Sequence, residues 1–193
     1  MAAIEDSGEN NRVIGDHSSS PDLTVRFFGS NNTLTLGNSC RLSGHVDFYK
    51  DRGAVEYLGA NRGRMMVYLK GDDCRLAMGY RSKCNASFFA NLAENKCSVQ
   101  IGDDCLFAGV KIRPSDSHTI FNLDDGERIN EPRPIIIEEH VWISEEAIIL
   151  GGSHIGSGSV IGARAVVNGP VPSNCLAVGT PAKVIRENIG WKE

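Results

Sequence analysis

The chain has 193 residues, 41% of them hydrophobic and 23% charged, with a formal net charge of -4. This balance fits one globular domain with a real core, and a mildly acidic chain of pI near 5.7 gives no electrostatic reason to bind nucleic acid or an anionic membrane. No aliphatic run approaches the ~20 residues of a membrane span, and the first residues lack the basic and apolar segments of a signal peptide, so the expected location is the cytoplasm.

Residues 1–22 are polar and rich in Ser, Asn and Asp, which predicts an arm that is disordered or docks on a neighbour, ahead of a single domain over 23–193. One phrase then recurs without a gap: Gly37-Asn38-Ser39-Cys40-Arg41-Leu42-Ser43, Gly71-Asp72-Asp73-Cys74-Arg75-Leu76-Ala77 and Gly102-Asp103-Asp104-Cys105-Leu106-Phe107-Ala108. Gly and Asn/Asp tolerate the backbone angles of a tight corner, the Cys is small enough for its inside, and the following aliphatic fills a core. The copies start 34 and 31 residues apart, so irregular coils with loops or bends are expected over 24–112. Three of the six cysteines occupy this small slot and there is no C-x-x-C pair, so packing explains them better than metal or redox chemistry.

From 113 to about 134 the rhythm stops, and Arg113-Pro114-Ser115-Asp116-Ser117-His118 through Arg133-Pro134 reads as a protruding loop. Loops this long in a compact domain are uncommon and often functional. Beyond it, Ile137, Ile143, Ile149, Ile155, Ile161 and Val167 fall on every sixth position. A helix repeats its face every 3.6 residues and a strand every 2, so a period of six means a flat strand-like side followed by a corner. Three such sides close a triangular coil in which position 137 stacks on 155 and 143 on 161, and stacking buries the core. The last fifteen residues read as a cap that ends in a short helix or tail.

These hexads resemble the hexapeptide-repeat acyltransferases, whose fold is a left-handed parallel β-helix. The ending Val171-Pro172-Ser173-Asn174 through Val178-Gly179-Thr180-Pro181-Ala182-Lys183-Val184-Ile185-Arg186 is similar to that of family members, and polysaccharide or sugar O-acetyltransferases are closest in appearance. The hand of the coil is an implication of the resemblance, since the period does not set it.

The resemblance implies acetyl-coenzyme A as donor, a carbohydrate hydroxyl as acceptor with an antibiotic, serine or a sugar nucleotide as the alternative, a homotrimer, and a catalytic histidine on the loop, which here is His118. A histidine with an ordinary pKa near 6.5 suits the task, because it can take the acceptor proton as the oxygen attacks a thioester. Asp116 is the nearest carboxylate to orient it; a backbone carbonyl or a carboxylate from elsewhere is the alternative. Trp142, in an outward slot of His140-Val141-Trp142-Ile143, corresponds to a tryptophan that lines the reaction site, with packing against the loop or a neighbouring subunit as the plain alternative. Ser144, Gly162 and Ala163 match positions along which the pantetheine arm lies, and Lys183 and Arg186 are placed to meet the coenzyme's phosphates. Asp124, Asp125, Glu127 and Arg128 at the loop tip either meet sugar hydroxyls or keep the loop soluble.

Two other classes compete. A zinc-dependent carbonic anhydrase on this fold would need three histidines, for which His118, His140 and His154 are the candidates, but the close histidine pair of that branch is missing. A non-catalytic scaffold would not need a histidine-bearing loop followed by Trp142. Gly156-Ser157-Gly158 lies inside the hexad rhythm and lacks the strand-to-helix context of a dinucleotide loop. No metal is expected.

Overall fold

The computed structural model describes residues 1–193 and contains strands, turns and bends without a helix. Every pairing between named strands is parallel except the last, so the chain winds as a solenoid of three flat faces. In the C-terminal coils, face one carries Trp142–Ile143, Val160–Ile161 and Leu176–Val178. Face two carries Val110–Arg113, Ile148–Leu150 and Val166–Val167, and face three Ser98–Ile101, Ile135–Ile137, His154–Ile155 and Pro170–Val171.

The hexads behave as their period requires. Trp142 pairs with Val160 and Ile149 with Val167, each 18 residues on, and Ile137, Ile143, Ile149, Ile155 and Ile161 are all buried. Upstream, the expected irregular coils are regular ones of a larger size. Thr24 pairs with His45 and His45 with Met66, so each coil there takes 21 residues, and Met66 to Phe89 takes 23. Long strands, Arg41–Phe48, Arg62–Leu69 and Lys83–Leu92, run from face one round onto face two. The longer sides enclose a wider interior, which admits the buried rings Phe27, Phe48, Tyr57, Phe88 and Phe107. Phe27 and Phe48 stack at 4.9 Å between centroids. In the 18-residue coils the same space is filled by Ile, Val and Ala.

The recurring phrase marks two different corners, which accounts for its uneven spacing. Gly37 and Gly102 sit where face three turns into face one, their N–H groups donating to Tyr57 and Ile137 of the next coil. Gly71 sits where face two turns into face three and lies over Glu94. At Gly37 an added Cβ would stand 1.8 Å from the carbonyl oxygen of Leu58, so the coils can approach there only around glycine.

Residues 1–22 differ from the expected arm. Ala3–Asp6 pairs in register with Thr24 to Phe27 and Arg12–Gly15 with Thr33 to Leu36, so these residues make a coil of the solenoid. Their polarity reflects position, because an end coil has a neighbour on one side only. Of the two endings expected for the C-terminal cap, helix or tail, the structure has the tail: Lys183–Arg186 turns back antiparallel to Leu176–Val178 and residues 187–193 follow without regular structure. One cluster of 42 buried residues runs the length of the solenoid. It includes all six cysteines, none of them disulfide-bonded. Burial pushes the Cys84 thiol up to about 11 and Cys105 to about 12, which keeps both protonated and unreactive.

Candidate functional site

The loop interrupts the stack at one corner. The strand Val110–Arg113 ends on face two and the next, Ile135–Ile137, begins on face three, so residues 114–134 leave between those two faces. The loop folds on itself as a short antiparallel finger, with a bridge between Phe121 and Arg128 and an Ile129 N–H donated to the Ile120 carbonyl. Arg128 anchors it to the body by a 2.6 Å ion pair with Glu94. At the tip, Asp125 accepts the Glu127 N–H and Asn122 caps Asp124, so these polar groups hold the finger's shape.

His118 lies exposed at the base of this finger. Its main chain is held by Asn130, whose Nδ2 donates to the His118 carbonyl at 2.7 Å and to Asp116 Oδ2 at 3.0 Å. Asp116 is therefore engaged by Asn130 and makes no hydrogen bond to the His118 ring. Asn130 was missed in the sequence, since a lone loop asparagine twelve residues from the histidine carries no local signal. A cavity of about 500 Å3 lies beside these residues, lined by Pro114, Asp116, Asn130, Arg133, Leu150 and Asn168 among others.

Trp142 is half-buried on the outside of face one. Face one is opposite the corner from which the loop departs, so a single chain does not bring His118 and Trp142 together. What does meet Trp142 is the C-terminal tail. The Trp191 ring lies 6.1 Å from Trp142 and stacks on His140 at 4.3 Å with 7° between the planes. Trp191 Nε1 also donates to the His140 carbonyl at 2.9 Å. Trp191 went unnoticed because nothing in its local sequence connects it to position 140.

The donor candidates gather at the corner between faces one and two. Val160–Ile161 pairs with Leu176–Val178, so Ser144, Gly162 and Val178 stand in one column, and Lys183 pairs opposite Val178. The N–H groups of Ser144 and Gly162 already donate to Ile161 and Ala177 of the next coil. The Ala163 N–H has no acceptor in the chain, and neither has that of Glu145 one coil back at the same corner. Gly162 is sterically required, since an added Cβ would lie 2.6 Å from Val178 Cγ1. Arg186 stands apart, opposite Leu176 at the other end of its strand.

The three histidines considered for zinc lie apart in the chain. His140 is under Trp191, His118 is on the finger, and His154 on face three binds Glu138 at 2.7 Å. Ser157, through its N–H and hydroxyl, and then His154 hold the Glu138 carboxyl below its usual range.

A family model described as "Bacterial transferase hexapeptide (six repeats)" matches residues 134–169. The chain is 31% identical over 190 residues to the polysialic acid O-acetyltransferase of Neisseria meningitidis, covering 96% of this chain and 87% of that protein. It is 36% identical over 127 residues to the polysialic acid O-acetyltransferase of Escherichia coli O1:K1 / APEC, where the match takes in 65% of this chain and only 40% of that protein. Among solved structures, the polySia specific acetyltransferase NeuO superposes with a TM-score of 0.87 at 33% identity, over all of this chain and 82% of that one.

Proposed function

The chain belongs to the hexapeptide-repeat acyltransferases, the family with a left-handed parallel β-helix, and on that premise we propose that it moves an acetyl group from acetyl-coenzyme A to a hydroxyl of a sugar or polysaccharide. The observation that carries this reading is the likeness, over nearly the whole chain, to a relative named polysialic acid O-acetyltransferase and to a solved polySia specific acetyltransferase.

In the proposed reaction both substrates are bound together. His118 accepts the proton of the acceptor hydroxyl as its oxygen forms a bond to the thioester carbonyl carbon. The tetrahedral adduct collapses, the carbon–sulfur bond breaks, and the proton on His118 passes to the departing thiolate. A positioned general base contributes ~10²- to 10⁴-fold in such a step. Asn130 is a positioning residue, because it fixes the peptide that carries His118 without reaching the ring. The pantetheine arm runs along the column of Ser144, Gly162 and Ala163, and Lys183 meets a coenzyme phosphate.

The separation of His118 from Trp142 within one chain supports a homotrimer in which the finger of one copy reaches face one of the next. The exposed apolar residues of the finger, Ile120, Phe121, Leu123 and Ile129, fit such a contact, with Leu123 90% exposed in the single chain.

Thiol release from acetyl-coenzyme A, measured against a panel of polysaccharides, nucleotide sugars, amino acids and antibiotics, tests the proposal. Release stimulated by saccharides supports it, and stimulation by a non-saccharide alone overturns it. In the same assay Lys183→Ala is expected to raise the KM for acetyl-coenzyme A about tenfold with kcat nearly unchanged, since a phosphate contact far from the thioester is equally strong in ground and transition states. An equal fall in kcat would remove Lys183 from that role.

A further inference from the structure

Arg41, Arg62 and Lys83 occupy successive coils in strict register on the outside of face one, Arg41 pairing with Arg62 and Arg62 with Lys83. The column continues through Leu106 to Trp142. Adjacent coils are spaced roughly 4.8 Å, and like charges placed directly opposite across a sheet destabilise it. At two corners, by contrast, a cation is paired with a carboxylate of the next coil: Arg52 meets Asp73 and Arg81 meets Asp104. Neither Arg41 nor Arg62 forms an ion pair, although Arg62 shares a cavity with Asp104 and Glu193, so the stack is not neutralised by the fold.

The third rung does have a partner, and it comes from far along the chain. Glu193 in the C-terminal tail forms an ion pair with Lys83, while Trp191 of the same tail lies on His140 beside Trp142. Between tail and coils is a cavity of about 480 Å3 lined by Arg62, Arg81, Lys83, His140 and Trp191 among others. A carboxylate on Lys83 and a flat ring against an aromatic wall are the contacts an acidic sugar unit would make there.

We propose that Arg41, Arg62 and Lys83 form a binding track for the carboxylates of an acidic polysaccharide acceptor, resting on the sugar O-acetyltransferase reading above, and that Glu193 occupies the rung nearest Trp142 until the acceptor displaces it. The track leads in register to Trp142, so a polymer held on it presents a unit to the proposed transfer site while its other units remain on the arginines. Holding several units at once raises the effective concentration of the reacting one. An acidic polysaccharide is favoured over a nucleic acid because the chain's net charge is -4, which repels a polyanion carrying a charge at every backbone unit, while three cations in one column match carboxylates spaced along a sugar chain.

The test uses the full-length protein and Arg41→Gln/Arg62→Gln, two exposed positions whose exchange relieves repulsion and should leave the melting temperature unchanged or higher. Binding of polysialic acid, polygalacturonate, dextran and single-stranded RNA is measured by calorimetry at several salt concentrations, in parallel with thiol release. We expect both carboxylated polymers to bind at least ten times more tightly than dextran or RNA. The double variant should lose at least tenfold of that affinity and show a shallower salt dependence. Glu193→Gln should tighten binding by about twofold, as loss of a surface ion pair frees Lys83. Unchanged affinity in the double variant, or equal loss for RNA and the polysaccharides, overturns the track. If carboxylated polymers bind through the arginines but no saccharide stimulates thiol release, the track stands and the O-acetyltransferase reading fails. If a neutral saccharide is acetylated and no carboxylated polymer binds, the reading stands and the track fails.

Discussion

Replacing His118 with alanine is expected to lower acetyl transfer by ~10²-fold or more while leaving the affinity for coenzyme A close to that of the unaltered protein. The asymmetry follows from geometry. His118 sits on the finger that leaves between faces two and three, whereas Ser144, Gly162, Ala163 and Lys183 line the corner between faces one and two. Removing the imidazole takes away the group that receives the acceptor proton and none of the groups proposed to hold the donor. Asn130 bonds the His118 carbonyl, a main-chain contact that alanine keeps, so the finger should retain its shape. Turnover within a factor of a few of the original would remove His118 from the mechanism, and a parallel loss of coenzyme binding would assign the finger a structural role.

Replacing Arg26 with alanine should destabilise the fold by ~3–5 kcal/mol, because it leaves a buried carboxylate without its counter-charge. Asp47 has no solvent-exposed side-chain surface and receives two hydrogen bonds from Arg26, 2.8 Å from Nε and 2.6 Å from Nη2. The two residues are in register on neighbouring coils. The double variant Arg26→Ala/Asp47→Asn should recover a large part of the loss, since the amide carries no charge to desolvate. Chemical denaturation checks both. A single variant within ~1 kcal/mol of the original protein, the range of surface pairs, would mean that solvent reaches Asp47 readily.

How much of this was legible in the sequence varied along the chain. The 18-residue coils could be read because each hexad places a branched aliphatic at one spacing, and Ile143, Ile149 and Ile161 are buried as that spacing demands. The 21-residue coils were harder to read, although Val25, Val46 and Val67 carry that period and pair in register. Their sides are of unequal length, and the corner phrase that drew attention belongs to two corners, so the two spacings masked the one period. Residues 1–22 look like an arm by composition because an end coil exposes polar groups to solvent, yet their backbone pairs with the next coil as any other does. The finger was visible as a break in the rhythm, whereas Ser144, Gly162 and Ala163 were singled out by the family resemblance and stand as proposed donor contacts. The hydrogen bonds from Asn130 and the return of Trp191 onto His140 were not visible, since both depend on contacts between segments whose separation no local pattern encodes.

Mixing two inactive variants tests most directly whether His118 and Trp142 act on one acceptor from different copies of the chain. His118→Ala and Trp142→Ala should each abolish most of the acetyl transfer alone. Unfolded together and refolded as a mixture, they should recover about a quarter of the original activity, because random mixing puts three trimers in four into mixed assemblies, each with one of its three sites intact. Recovery near that level, together with light scattering at the mass of a trimer, is what the account predicts. No recovery from a mixture shown to contain mixed trimers would contradict it and return both residues to a site within a single chain.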